Sequence, residues 1–500
     1  MTRHFFIQTV GCQMNVLDSE LVAAELLRAG HQQVDAIGRA DVVLLNTCSV
    51  RQHAEDKIYS LLGRLKEVKE QRPELIIGVL GCMAQKDRHE ILRRAPHVDL
   101  VVGPGQLGQL PALIERVAAG GGQQVEISLD RIGEDRASVE LSFAQFAPPR
   151  TIVPRPSPHQ AMVRIMFGCD NFCTYCVVPR VRGPEQSRPA AEIFDEVRQL
   201  ADNGCLEVTL LGQTVNSYRD TSAGQAIELA DLLHKLHDID GIRRLRFVTN
   251  HPKHTTTALL QAMRDLPKVS PYLHVPAQSG SNAILERMRR GYTVEFYREM
   301  LARIREMLPH AAVTSDFIVG FCGETEDDFR QTADLVRDAR FKNSFIFKYS
   351  GRPGTRADEL YEDDVSETVK RRRNNELLAI QNAISLEDNQ PFLGRTVEIL
   401  VEGPSKVAKK RGRGSQTAAM SEDPRANSPH PSPLPKGEGT IRLDPRANGE
   451  RTVQLVGRTT CDRIVVFEGS ANLVGRILPI TIEKIDAFTL FGRTSSTPCE

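Results

Sequence analysis

The chain has 500 residues, with 64 Lys and Arg balanced by 64 Asp and Glu. That length predicts about three domains of ~100–200 residues each, and the neutral charge excludes a global field toward nucleic acid, so any RNA contact must come from local patches. Ten cysteines lie far below the ~8% of a disulfide scaffold and point to metal in a reducing compartment, while no run approaches the ~18 apolar residues of a membrane span; a cytoplasmic protein is expected.

The start, MTRHFFIQTVGCQMN, has an apolar run broken at Gln8 and does not read as a signal peptide. Residues 5–10 run into Gly11-Cys12, residues 41–45 into Asn46-Thr47-Cys48, and residues 75–80 into Gly81-Cys82. Short aliphatic runs that end in turns read as buried parallel strands. Helices are expected at 19–29, with Asp18 as cap and Gly30 as stop, and at 54–71 before Pro73. Alternating strands and helices make a doubly wound parallel sheet, in which ligands bind beyond the carboxyl ends of the strands. One cysteine in such a place is ordinarily a small buried hydrophobe. Cys12, Cys48 and Cys82, at three equivalent strand ends, converge on one rim as a three-thiolate cluster site.

Pro148, Pro149, Pro154, Pro156 and Pro158 mark a linker. Strands are then expected at 163–166, 208–211, 245–248, 273–275, 314–319 and 345–347, and helices at 190–202, 226–237, 256–265, 293–307 and 326–338. Six β/α units suggest a partial barrel with its working face at the carboxyl ends of the strands. Directly after the first strand stands GCDNFCTYC, with Cys169, Cys173 and Cys176 in CxxxCxxC spacing. Three thiolates on one tight loop hold three irons of a 4Fe-4S cube and leave the fourth open. A zinc site normally closes with four ligands, and residues 177–180, VVPR, offer none. Polar loops after the other strands face the same mouth. Gly212 permits close approach of a ligand, and Gln213, Asn216, Gln278 and Ser279 can hydrogen-bond a polar cofactor. His251 and His274 are read as packing or hydrogen-bonding groups rather than general bases. Cys205, Cys322, Cys461 and Cys499 share no site geometry.

From residue 393 the chain turns β-rich, with strands expected at 396–401, 452–456, 462–467 and 474–482, as in small barrels that grip RNA. Residues 392–500 carry 16 Lys and Arg against 12 Asp and Glu, a modest basic excess. Residues 409–450 hold SPHPSPLPKGEG and a repeated DPRAN. Such composition cannot bury enough apolar surface to order itself, and it reads as a disordered insertion. Closing a loop ten times longer costs only about 2 kcal/mol, so the barrel tolerates it.

Tyr175 completes a CxxxCx(aromatic)C pattern that resembles the radical S-adenosylmethionine (SAM) enzymes. With GCQMN at 11–15, NTCSVR at 46–51, GCMAQ at 81–85, GCDNFCTYCVVPRVRGPEQSR at 168–188, LLGQTVNSY at 210–218, MRRGYT at 288–293 and YSGRPGT at 349–355, the chain resembles the methylthiotransferases of that superfamily over all but the insertion. The resemblance implies an α/β architecture: a flavodoxin-like domain over 1–145, a linker over 146–158, a radical SAM core with a partial (β/α)6 barrel over 159–390, and an all-β TRAM barrel over 391–495 interrupted at 409–450. It implies that Cys169, Cys173 and Cys176 hold the SAM-binding 4Fe-4S cluster, with Tyr175 beside the adenine, and that Cys12, Cys48 and Cys82 hold an auxiliary 4Fe-4S cluster carrying the sulfur to be inserted. It further implies one SAM as methyl donor and one as radical source. The substrate would be N6-isopentenyladenosine beside the tRNA anticodon, converted to its 2-methylthio derivative. Reduced flavodoxin or ferredoxin as electron donor, a sulfur carrier and a monomeric state belong to the same expectation. Phe167, Cys322 in FCGET and Asn250 in TNHPK depart from the usual pattern without removing a cluster ligand.

The rivals are siblings that act on threonylcarbamoyl adenosine in tRNA or on a ribosomal-protein aspartate, and, in another class, a non-catalytic iron–sulfur electron carrier with an RNA-binding tail. Gln13-Met14 argues against the ribosomal sibling. An electron carrier should close each cluster with four cysteines, whereas both triplets leave one iron open.

Overall fold

Val42–Thr47, VVLLNT, is buried along its whole length, as an aliphatic strand covered on both faces must be. It is central to a parallel sheet in the order Gln32–Gln33, His4–Val10, Val42–Thr47, Ile76–Leu80, Leu100–Val102 and Gln124–Glu126. The computed structural model describes residues 2–49, 52–127, 155, 157–222, 224–406, 408 and 452–494. Three of the six strands match those read from sequence. The other three have two or three residues each, too few to show a period. The helix expected at 19–29 begins earlier, at Gln13, and runs to Arg28. Asp18 is therefore no cap but an interior helical residue. The early turns escaped notice because Asn15, Asp18, Ser19 and Glu20 are buried in spite of their polarity.

The second unit follows the expected strand and helix alternation. Gln160–Arg164, Glu207–Leu211 and Arg244–Phe247 pair in parallel, as do Tyr272–His274, Ala312–Val319 and Asn343–Lys348. A parallel bridge between Leu245 and Val269 links the two halves. The result is a six-stranded arc in sequence order, a barrel left open between its first and last strands. The amphipathic helices Ala190–Asp202, Leu229–His237, Thr257–Asp265, Val294–Met307 and Glu326–Ala339 pack their apolar stripes on it. Glu367–Asn389 is a further helix absent from the sequence reading. Its buried side includes Lys370, Arg373, Gln381, Ser385 and Asn389, so no apolar stripe announces it.

The N-terminal sheet lies against the open side of the arc. Met162 and Leu211 join the core built from Phe5, Leu21 and Leu107, and Arg352, beyond the last strand, donates to the Ser49 carbonyl at 2.8 Å.

The tail is a closed barrel of five antiparallel and parallel strands, in the order Thr396–Pro404, Thr452–Thr459, Ile464–Ser470, Thr489–Thr494 and Ile477–Ile485. Sequence reading found four of them and missed Thr489–Thr494. The insertion at 409–450, most of the linker, Arg51 and Cys499 lie outside the described residues. Among the described residues no helix is long and apolar enough to cross a membrane.

Asp462 docks the small barrel on the arc. It accepts from Arg246, from Lys342 at 3.0 Å and from Arg458 at 3.0 Å, and these cations hold its carboxyl well below the usual range despite burial. Removing one partner of a buried ionic set costs about 3–5 kcal/mol. Glu207 and Glu402 remain near the same arginines, so Asp462→Ala should fall at about 3 kcal/mol. Thermal unfolding and proteolysis near residues 390–395 should show it as early release of the tail; an unchanged profile would refute the docking role.

Candidate metal centres at the strand ends

Cys12, Cys48 and Cys82 each follow a strand of the N-terminal sheet at its carboxyl end. A buried amide network holds the three turns together. Asn15 donates to the Asn46 side-chain oxygen at 3.1 Å, and Asn46 donates to the Asn15 carbonyl and to Ser19, each at 2.9 Å. Gly81, at φ +87°, lets the third turn close. A Cβ there would stand 2.3 Å from the Asn46 oxygen. Cys12 is the helix cap, its thiol 3.2 Å from Asn15 Oδ1. A hydrogen bond with Cys48, joined by the charge of Arg182, pulls the Cys12 thiol down to about 6. Burial pushes Cys82 up, and Arg182 opposes it. The Arg182 Nε donates to Cys82 Sγ at 3.2 Å.

Cys169, Cys173 and Cys176 lie on the loop after Met166–Phe167. Gly168, at φ +62°, brings that loop against the turn at 183–184, where a Cβ would fall 1.8 Å from the Pro184 carbonyl oxygen; Cys169 N–H donates to the Gly183 carbonyl at 3.2 Å. Asn171 donates to Cys169 Sγ at 3.3 Å and to Thr214 at 3.2 Å. Thr174 is pinned by its backbone to Met288 and by its hydroxyl to the Arg287 carbonyl. Arg290 is buried, and its Nη1 donates to Cys173 Sγ at 3.2 Å. Burial and then the charge of Cys173 push the Cys176 thiol up to about 12.

Among the described residues no three His, Cys, Asp or Glu side chains close on one point, as a single zinc ion with Zn–S near about 2.3 Å would require. A 4Fe-4S cube takes one thiolate per iron, so its ligands need not close on a single point. The mouth of the arc also fits a polar ligand. Gln213 Oε1, Asn250 Oδ1, His251 Nε2 and Asp316 Oδ1 are buried there without a hydrogen-bond partner, and buried polar groups are normally paired.

The six residues expected around SAM divide by what they already hold. Tyr175 stands within 3.5 Å of Arg290, beside the thiol loop. Gly212 has no room for a Cβ, which would meet Met166 at 2.2 Å. Gln213 has its free oxygen. Gln278, at φ +72°, bridges to Phe317 through its backbone. Asn216 spends its amide on the His251 backbone, donating at 2.9 Å and accepting at 2.8 Å. Ser279 accepts from Ser281 N–H at 3.1 Å and lies 3.3 Å from Thr332.

Sequence reading did not single out Asp18 as a buried ion partner, nor Arg164, Arg182, Arg290, Asn171 or Thr214. For Arg182 the signal available was an arginine just beyond the cysteine loop, in VPRVRG; Arg290, in MRRGYT, lies 117 positions from Cys173 and carried no such local signal. The three departures have local explanations. The Arg164 guanidinium lies 4.0 Å over the Phe167 ring. Cys322 is buried among Ile284, Met288, Phe321 and Tyr349. Asn250 donates to the His274 carbonyl at 3.1 Å. His251 accepts from Lys253 N–H, and burial followed by the charge of Arg290 lowers it to about 2, so it stays neutral. His274 contacts Thr314 at 2.9 Å and Asp316 at 3.5 Å.

The radical SAM superfamily matches residues 163–336, and the family described as uncharacterized protein family UPF0004 matches residues 4–103. The chain is 53% identical to the tRNA-2-methylthio-N6-dimethylallyladenosine synthase of Rhodopirellula baltica over 496 residues, covering 99% of this chain and 96% of that protein. It is 40% identical to the protein of the same name from Carboxydothermus hydrogenoformans, covering 98% of this chain and 99% of the other. Among solved structures, it shares a fold with the radical SAM methyltransferase TsrM of Kitasatospora setae, at TM-score 0.52 and 14% identity, over 71% of this chain and 75% of that one.

Proposed function

The chain belongs to the radical SAM family of the tRNA-2-methylthio-N6-dimethylallyladenosine synthases, and on that footing we propose that it converts N6-isopentenyladenosine next to the tRNA anticodon to the 2-methylthio nucleoside. The observation that carries the reading is the pairing of two cysteine triplets, each at the carboxyl ends of parallel strands and each with a buried arginine on one of its sulfurs. Membership in the superfamily brings a 4Fe-4S cluster and SAM. We assign that cluster to Cys169, Cys173 and Cys176, and a second one to Cys12, Cys48 and Cys82.

When bound, these groups supply a 5′-deoxyadenosyl radical and a transferable sulfur, chemistry that belongs to the cofactors. The chain's part is position. The Thr174 clamp on 287–288 fixes the thiol loop between Cys173 and Cys176, and Arg290 orients Cys173 and Tyr175 together. Gln213 and Tyr175 are the proposed direct SAM contacts. Gly212 and Gln278 shape the rim, and Asn216 and Ser279 hold the neighbouring loops in place. His251 remains neutral and donates no proton at physiological pH. None is demanded, since an aromatic C2–H offers no acidic proton to a base.

The same reading includes domains at 1–145, 159–390 and 391–495, reduced flavodoxin or ferredoxin as electron source, a sulfur carrier, a monomeric enzyme and a cytoplasmic location. The neutral chain and the modest basic excess of the tail accord with tRNA contacts made locally. In a strain lacking this gene, mass spectrometry of tRNA nucleosides should show N6-isopentenyladenosine in place of the methylthio product. A normal methylthio level would sink the substrate assignment.

A further inference from the structure

Arg182 stands where the two thiol sets meet. It follows the short helix Val178–Val181, which leaves the Cys169–Cys176 loop. Val177 and Val181 from that segment pack against Cys82, while the next residue, Gly183, receives Cys169 N–H. One stretch of chain thus touches a cysteine from each set.

Arg182 is buried, its side chain 3% exposed. Its Nε donates to Cys82 Sγ at 3.2 Å and its Nη2 to Asp18 Oδ2 at 2.7 Å. Arg164 approaches the other Asp18 oxygen at 3.4 Å, so two guanidiniums share one carboxylate, and the charge of Arg182 bears directly on Cys82. The third nitrogen, Nη1, is buried with no partner. A buried donor left unmade costs about 1–3 kcal/mol, and guanidinium finds its acceptor in anionic groups. The arginine on the other triplet differs in this respect. Arg290 contacts Tyr292, Cys173, Tyr175 and the Pro276 carbonyl through all three nitrogens.

We propose that Arg182 is a positioning residue for the Cys12, Cys48 and Cys82 cluster, which orients Cys82 and raises that cluster's reduction potential through N–H···S donation from a rigid fork. The inference rests on the assignment of a second cluster to those cysteines. Hydrogen bonds to cluster sulfurs and local positive charge stabilise the more negative, reduced form and so raise the potential. The dry wall of Val177 and Val181 strengthens the effect by keeping water from the sulfur.

The full chain with Cys169, Cys173 and Cys176 all changed to alanine, reconstituted with iron and sulfide, isolates the second cluster for potentiometric titration with dithionite, followed by electron paramagnetic resonance. If this protein holds no reducible cluster, the assignment of the cluster itself fails before Arg182 is in question. Given the cluster, Arg182→Gln should move its midpoint to more negative potential, and Arg182→Lys, which keeps the charge but not the fork, should restore part of the shift. Arg290→Gln in the same background should leave the midpoint in place. An unchanged midpoint in Arg182→Gln, an equal shift in Arg290→Gln, or loss of the cluster from both Arg182 variants would each overturn the proposal, the last by making Arg182 a structural prop.

Discussion

Replacing Cys12, Cys48 and Cys82 together by alanine should abolish methylthio product while 5′-deoxyadenosine still forms from SAM and dithionite. Iron in the reconstituted protein should fall to about four per chain, the content of one cube. Cys173→Ala should abolish both products instead. The asymmetry follows from the separation of the N-terminal sheet from the arc. Cys173 sits at the barrel mouth with Tyr175, Arg290 and the unpaired Gln213 oxygen, whereas the three N-terminal thiols sit on the rim of a separate sheet. That sheet should survive their loss, because the bonds among Asn15, Asn46 and Ser19 tie its turns without any of the three sulfurs. Quantitative product analysis by mass spectrometry reads both outcomes. Deoxyadenosine lost with the N-terminal triplet, or methylthio product retained without it, would reverse the division of labour.

How much of this was legible in the sequence depends on what each residue buries. Aliphatic runs such as VVLLNT show themselves, and the turn after each places its cysteine on the rim. The cysteine spacing likewise carried the barrel site. The helix Glu367–Asn389 stayed hidden because polar side chains occupy its buried face. The true start of Gln13–Arg28 was hidden for the same reason. The charged residues that hold the centres were the least visible. Asp18 reads as a helix cap in sequence, and only its placement opposite Arg164 and Arg182, 146 and 164 positions away, shows it to be an ion partner. A contact between distant segments leaves no local pattern.

That contact should be the most expensive one to break. Asp18 is fully buried, and the Arg164 and Arg182 side chains are 5% and 3% exposed. Burial disfavours charge on both arginines; Asp18 counters it, holding Arg182 well above its ordinary value while Arg164 still falls below its own. Asp18→Ala leaves two guanidiniums in a dry site with no carboxylate between them. Uncompensated buried charge costs about 3–5 kcal/mol, and Glu196, the other acid that bears on Arg164, already accepts from Arg188 at 2.7 Å. The loss should lie at the upper end of that range, seen as an early transition of the N-terminal unit in chemical unfolding. Asp18→Asn keeps the shape and one acceptor but not the charge, so it should recover only part. Replacing all three by apolar residues of similar volume should recover more, since a buried ionic set is often neutral or better when exchanged whole. If Asp18→Ala unfolds within about 0.5 kcal/mol of the parent, the range of an ordinary surface change, then the charges are not what joins the sheet to the barrel.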